Sequence, residues 1–200
     1  MKQNKYSNMK KHASSGDWDI TGAWILDATQ YVSSPSSLGI RDVVTALLKT
    51  TTVPIASLKE GRIVTYIRTA YGGSQRILFR YQDGSNYYLV WMIWVVGSGA
   101  QRFVIRKVVS GVETTIRDET TGNYSLNTWI KLRVTWWNDY VGLVIRFEYW
   151  NGSIWVEVCA DGYDAANLWK DIGGRVGVSA NSNPAATQTW FDDTEIYGIG

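Results

Sequence analysis

The sequence has few of the residues from which most catalytic and metal centres are built. Its 200 residues contain one cysteine, Cys159, and one histidine, His12. A single cysteine excludes an intrachain disulfide, a cysteine-based zinc site and an iron–sulfur cluster. A single histidine near the start excludes Ser-His-Asp and Cys-His triads, and histidine-based zinc sites, from the rest of the chain. The lone thiol is therefore predicted to be a small buried apolar group.

The sequence also has neither a large excess of positive or negative residues nor a long apolar run. The net charge is +2, and no run of Lys or Arg follows a predicted strand, so no nucleic-acid partner is expected. The longest apolar stretch, YYLVWMIWVV, is about half as long as a membrane helix, which predicts no membrane span. Residues 1–16 are polar and lack the apolar segment of a secretory signal, and they are predicted to be a flexible leader.

Aromatic residues with a polar edge are abundant. The chain has 11 Trp and 12 Tyr against 4 Phe. Tryptophan and tyrosine combine a large flat body with a hydrogen-bonding group, so they suit surfaces that are only partly dry.

Period-two alternation of apolar and polar residues dominates the chain after residue 17. It is clearest in TWIKLRVTWW and VGLVIRFEYW, and Asn151-Gly152 between two such runs is a strong hairpin signal. In the first run Trp136 is predicted to face the core and Trp137 the opposite side. About twelve short strands separated by turn residues predict one all-β sandwich domain over 17–200. DAANLWKD is predicted to form a helical turn with Asp164 as its N-cap.

The strand YYLVWMIWVV is apolar on both faces. An antiparallel strand at the surface has one polar face, so both of its faces must be covered. Two explanations stay open: a central strand under a loop or a neighbouring subunit, and an aromatic platform for a ligand.

Several segments together resemble a known family. They are GSQRILFRYQDGSNYYLVWMIW, NTWIKLRVTWW, VIRFEYWNGSIWVEV, GGRVGV and the closing WFDDTEIYG. The chain resembles the concanavalin A-like lectin/glucanase jelly rolls, which include laminin-G-like modules and the C-terminal domain of thrombospondins. The resemblance implies a single jelly-roll β-sandwich of two antiparallel sheets. It does not imply one activity, because this superfamily spans lectins, hydrolases, lyases, adhesion modules and virion proteins.

A non-catalytic, lectin-like domain with a glycan partner is the preferred function. Saccharide sites combine flat aromatic rings with planar polar groups. Aromatic residues flanked by such groups are expected to line one sheet face, and the candidates are Tyr66, Arg68, Arg80, Gln82, Tyr87, Trp91, Arg133, Trp137, Arg146 and Trp155.

Two alternatives stay open. One is a structural or assembly protein of a virion, appendage or cell surface that self-associates, with an extracellular or virion-surface location. The other is a glycoside hydrolase, which needs only two carboxylates. The candidate pairs are Glu148 and Glu157, which are predicted to face each other across the Asn151-Gly152 hairpin, and Asp193 and Glu195, which are predicted to share a strand face. No cofactor is expected. A calcium ion is the one metal the residues could hold, at Asp161 with Asp164, Asp83 with Asn86, or Asp192 with Asp193.

Overall fold

The computed structural model describes most of the predicted domain. The described residues are 18–21, 24–27, 29, 31–32, 37–40, 44–48, 58–70, 74–94, 100–122, 125–181 and 189–199. The predicted leader of residues 1–16, which includes His12, lies outside them. The 17–200 domain boundary stays a prediction.

Fifteen strands are present in these ranges. They are β1 (Trp18–Thr21), β2 (Trp24–Asp27), β3 (Ser37–Ile40), β4 (Val44–Leu48), β5 (Gly61–Thr69), β6 (Ser74–Asp83), β7 (Asn86–Trp94), β8 (Ala100–Val109), β9 (Val112–Gly122), β10 (Ile130–Asp139), β11 (Gly142–Trp150), β12 (Trp155–Glu157), β13 (Gly162–Asp164), β14 (Arg175–Asn181) and β15 (Thr189–Gly198).

The strands form two antiparallel sheets. The first sheet has the order β1-β4-β14-β6-β7-β8-β9, and the second has the order β12-β11-β10-β5-β15-β3-β2 with β13 paired to β11. The long hairpins pair neighbours in sequence, while β14 and β15 return to the centres of the two sheets. This crossed connectivity is that of a jelly-roll sandwich, as the sequence predicted.

The inner faces of the two sheets form one core. It contains Phe79, Tyr88 and Phe103 from the first sheet, and Trp136 and Phe147 from the second. The Trp136 ring is fully buried and stacks on Phe79 with 4.9 Å between ring centroids. The predicted register of β10 is therefore confirmed, since Trp137 is half-buried on the outer side.

No helix is found among the described residues, and the helical turn predicted for DAANLWKD is wrong. The segment is a pair of turns after β13. The Asn167 N–H donates to the Asp164 carbonyl at 3.1 Å, but positive φ angles at Asn167 and Trp169 stop a helix from continuing. The Asp164 carboxylate accepts the Ala166 N–H at 3.3 Å, as a capping residue does, and it also binds the Tyr88 hydroxyl and the Lys107 ammonium.

The Asn151-Gly152 hairpin is confirmed, with a longer loop than the two-residue signal indicates. Trp150 pairs with Trp155, which leaves four residues in the loop. The Asn151 side-chain oxygen accepts the N–H groups of Ser153 and Ile154, each at 3.0 Å, and Gly152 has a φ of +103°. In the part of the chain that the structure describes, no helix is long and apolar enough to cross a membrane.

Candidate functional site

The ten predicted binding residues do not share one face, contrary to expectation. Eight lie on the outer sides of the two sheets, which point away from each other. Six are on the second sheet, on β5, β10, β11 and β12: Tyr66, Arg68, Arg133, Trp137, Arg146 and Trp155. Two, Tyr87 and Trp91, are on β7 of the first sheet. We call the two surfaces the Trp137 face and the Trp91 face.

Arg80 is not at a surface. Its side chain is fully buried, and a break in the β6–β7 register between Phe79 and Asp83, with a φ of 47° at Arg80, interrupts the alternation. All five of its guanidinium N–H groups are satisfied by protein oxygens: the carbonyls of Lys59 and Leu168 and the side chains of Asn138 and Asn167. Burial lowers the pKa of this guanidinium. Arg80 is therefore a structural residue, and we leave it out of the site.

Gln82 is also engaged within the protein. Its side-chain amide donates to the Gly173 carbonyl and, at 3.2 Å, to the Arg80 carbonyl. These bonds tie β6 to the segment that enters β14, and they leave the Gln82 amide oxygen as its remaining polar group.

On the Trp137 face, cations are paired with carboxylates and stacked on aromatic rings. The Arg133 guanidinium binds both oxygens of Glu148 and lies 4.2 Å from the Trp155 ring centroid. The Arg146 guanidinium binds both oxygens of Asp161 at 2.9 and 2.7 Å.

Three more contacts between a cation and an aromatic ring lie on this face. Arg146 also stacks 5.4 Å from Trp137, Lys131 lies 5.2 Å from the Tyr66 ring, and Arg68 lies 5.2 Å from the Trp190 ring. The arginines of this face thus already have partners within the protein.

The Trp91 face has an apolar floor under aromatic rings. The floor consists of Leu78, Leu89 and Val108, each at most 3 % exposed. The half-buried rings of Tyr81, Tyr87 and Trp91 pack against them, and the two tyrosine rings stack at 5.5 Å. Leu89 on the outer side of β7 is therefore covered by its own sheet, while the half-buried rings form an aromatic platform.

Two arginines flank Trp91 from opposite sides. Arg76 extends from β6 and Arg106 from β8, and their guanidinium carbons lie 4.7 and 4.6 Å from the Trp91 ring centroid. Both distances are within the range of a cation–π contact. Both guanidinium groups are therefore in contact with the Trp91 ring.

Several donors on the Trp91 face have no acceptor among the described residues. The Trp91 indole nitrogen and the Nε atoms of Arg76 and Arg106 are buried without a hydrogen-bond partner. Arg106 places its Nη1 on Glu113, whereas no described residue accepts a hydrogen bond from Arg76. Buried donors without acceptors are rare in native proteins, so a cluster of them indicates a place for an acceptor-rich ligand or ordered water.

The two tyrosines of this face remain protonated over the physiological range. Burial raises the pKa of Tyr81, with the neighbouring Tyr87 as a second cause. Burial also raises the pKa of Tyr87, which the positive charge of Arg76 partly offsets. Both phenols are consequently available as neutral hydrogen-bonding groups beside the unpaired arginine.

Three residues of the Trp91 face, Arg76, Arg106 and Tyr81, were not among the sequence candidates. Arg76 is directly opposite Trp91 in the β6–β7 pairing. Arg106 is opposite Leu89, one cross-strand step away on β8. The signal was present in RILFRYQ and QRFVIRKVV as polar residues at alternating positions, but strand order and register were needed to join them.

The first carboxylate pair suggested for glycoside hydrolysis is in contact with arginine side chains. Glu148 is opposite Glu157 across the β11–β12 hairpin, as predicted, but Glu148 is held by Arg133 and Glu157 lies 3.4 Å from Arg146. Neither carboxylate is therefore free of a cation.

A register break interrupts the strand that carries Asp193 and Glu195. A break in the β15–β5 register after Asp192, with a φ of 42° at Asp193, places Asp192 and Glu195 outward. The Asp192 carboxylate accepts the Val32 N–H at 2.6 Å, and Glu195 accepts the Tyr197 hydroxyl. These acids stabilise the strand and its neighbours.

The residues suggested for calcium are likewise engaged. Asp83 accepts the Ser85 N–H at 2.7 Å and the Asn86 amide at 3.0 Å, so it closes a turn. Within the described ranges, no group of three or more His, Cys, Asp or Glu side chains is placed to hold a metal ion.

Cys159 is expected to be unreactive in the folded protein. It is 5 % exposed, and burial raises the pKa of its thiol to about 11. Since the thiolate is the reacting species, an aromatic disulfide reagent at pH 8 should modify no thiol in native protein and one per chain after denaturation. Modification of native protein at the rate of unfolded chains would contradict this burial.

Comparison with solved structures identifies proteins that have a similar fold. The chain is similar to carbohydrate-binding module CBM66 from Bacillus subtilis, with a TM-score of 0.59 and 16 % identity over 91 % of this chain and 96 % of that one. It is similar to peanut lectin solved with a 9mer peptide, with a TM-score of 0.61 and 10 % identity over 98 % of this chain and 97 % of that one. It is also similar to the exoplasmic/lumenal domain of VIP36 in its Ca²⁺/Man3GlcNAc-bound form, with a TM-score of 0.57 and 12 % identity over 92 % and 86 %.

No protein-family model matches the sequence, and no curated protein matches it significantly. The likeness is therefore one of architecture, carried by the order of strands in two antiparallel sheets. The chain has the concanavalin A-like jelly-roll fold.

Proposed function

We propose that this protein is a non-catalytic carbohydrate-binding domain and that the Trp91 face is its binding surface. The observation that carries the proposal is the half-buried Trp91 ring in contact with Arg76 and Arg106, with donors beside it that no described residue accepts. A sugar ring offers apolar C–H groups to an aromatic surface and many oxygen acceptors to N–H donors. The Trp91 face has both an aromatic surface and N–H donors.

The Trp137 face suits this role less well. Its two central arginines, Arg133 and Arg146, are each held by a carboxylate through two nitrogens. A ligand would have to replace these charge-assisted bonds, which are among the stronger ones in proteins. On the Trp91 face a ligand would gain bonds that the protein leaves unmade.

The comparisons support the same class of function. One similar structure is described as a carbohydrate-binding module, and another was solved with Ca²⁺ and Man3GlcNAc. A binding role without catalysis is supported by the carboxylates, since Glu148 and Glu157 are both in contact with arginine.

The proposal is tested with a glycan array and with affinity electrophoresis through gels containing soluble polysaccharides. We expect retention by at least one glycan at micromolar to millimolar affinity. Absence of binding to every glycan at millimolar protein would overturn the proposal.

Self-association as an assembly protein at an extracellular or virion surface remains the alternative. The doubly apolar strand that motivated it is buried in the core on its inner side, while Tyr87 and Trp91 on its outer side are half-buried. The long edge strand β9 carries Arg117, Asp118 and Glu119, and charged residues of this kind discourage edge-to-edge pairing. We therefore expect a monomer of 22.5 kDa by size-exclusion chromatography with light scattering. A stable oligomer at micromolar concentration would favour the assembly role instead.

A further inference from the structure

We propose that the Trp91 face selects saccharides that carry a carboxylate, such as those built from uronic acids. This inference rests on the proposed function and specifies its ligand class. The carboxylate would bind at Arg76.

Arg76 has neither a carboxylate partner nor a hydrogen-bond acceptor among the described residues, whereas Arg62 and Arg68, which also lack a carboxylate partner, donate to Thr135 and to the Asn127 carbonyl. Arg102 pairs with Asp118, Arg106 with Glu113, and Arg133 with Glu148. Arg76 contacts the Trp91 ring, but it makes no ion pair and donates no hydrogen bond to the described residues.

The surroundings of Arg76 increase the benefit of an anion. Its side chain is half-buried, and its Nε is buried without an acceptor. Removing part of a charged group from water is unfavourable unless a partner restores the lost interactions. A carboxylate matches the guanidinium fork through two parallel hydrogen bonds, which a hydroxyl group cannot do.

The neighbouring groups add to this preference. The Trp91 indole N–H and the Arg106 Nε are also donors without acceptors. Two described carboxylates near this patch, Glu113 and Asp118, are already paired with Arg106 and Arg102. The unpaired nitrogen atoms of this patch are thus all donors, and they favour a ligand with surplus acceptors and negative charge.

The test measures binding of the wild-type protein to acidic polysaccharides and to their uncharged counterparts. Polygalacturonate is compared with its methyl ester, and alginate and hyaluronate with their carboxyl-reduced forms. Each pair keeps the sugar backbone and differs in charge. We expect at least one acidic form to bind about tenfold or more tightly than its neutral counterpart, and this advantage to shrink as salt is raised.

Two variants locate the effect. Arg76→Gln should remove most of the preference for the acidic form and leave binding of the neutral form within about threefold. Arg102→Gln is the matched control on the same sheet face, because its guanidinium is already paired with Asp118 and its side chain is 43 % exposed. It should leave both affinities within about threefold.

The outcomes separate this inference from the proposed function. Equal or tighter binding of the neutral forms would overturn the acidic preference and leave carbohydrate binding in place. An acidic preference that persists in folded Arg76→Gln protein would overturn the assignment to Arg76. Failure to bind any glycan, acidic or neutral, would overturn both. The comparison of charged and neutral ligands uses wild-type protein, so it remains decisive if the variant does not fold.

Discussion

Trp136→Ala is expected to lower the free energy of unfolding by about 3–5 kcal/mol. The ring is fully buried between the sheets and stacks on Phe79, and a β-carbon built on Gly61 would lie 2.6 Å from it. Packing this tight leaves little room for neighbours to fill the cavity. For a domain of 200 residues the loss corresponds to a decrease of roughly 6–20 °C in melting temperature, measurable by calorimetry.

Two further variants make this test specific. The Trp136 indole nitrogen has no hydrogen-bond partner, so Trp136→Phe loses volume but no polar contact and should cost only about 1–2 kcal/mol. Trp137→Ala removes a half-buried ring from the outer side and should cost less than Trp136→Ala by at least about 1 kcal/mol. Equal destabilisation by Trp136→Ala and Trp137→Ala would contradict the register of β10.

Arg80→Met should be comparably destabilising, by at least about 3 kcal/mol, although the new side chain is apolar. The methionine side chain occupies part of the same space as the arginine side chain. It cannot donate hydrogen bonds to the buried oxygens that now accept them from the guanidinium. The carbonyls of Lys59 and Leu168 and the amide oxygens of Asn138 and Asn167 would all lose a donor. Urea unfolding monitored by tryptophan fluorescence measures the loss as a lower midpoint.

Arg102→Met is the control for this prediction. Arg102 also bonds through two nitrogens, to Asp118, but both side chains are partly exposed. Its removal should cost less than about 1 kcal/mol, as is usual for surface ion pairs. A similar loss for both variants would show that burial of Arg80 is not the source of its contribution.

The sequence was sufficient for the fold class because burial imposes period-two alternation. Trp136 and Trp137 were assigned to opposite sides of β10 correctly, and Glu148 was placed opposite Glu157 correctly. Period-two alternation gave the wrong side for residues that follow a bulge, where one strand has an extra residue without a partner. The breaks near Arg80 and after Asp192 have no composition signal, and each reverses the side on which the following residues lie.

The candidate site was only partly predictable for a different reason. Tyr87 and Trp91 were identified from their own strand, but the residues that complete the patch, Arg76 and Arg106, lie on the strands on either side. Which strands are neighbours is decided by packing of the whole sandwich. Local patterns therefore indicated the right kinds of residue, and the pairing of β6, β7 and β8 was needed to bring them together.

The location of carbohydrate binding is tested most directly by titrating Trp91→Ala and Trp137→Ala with the glycan that the wild-type protein retains best. Both variants remove one half-buried tryptophan from an outer sheet face, and both have arginine stacked on that ring. Near-ultraviolet circular dichroism checks that each is folded. Isothermal titration calorimetry should show affinity reduced by about tenfold or more in Trp91→Ala and within about threefold of wild type in Trp137→Ala. Unchanged affinity in Trp91→Ala with a large loss in Trp137→Ala would place the site on the opposite sheet and contradict our account.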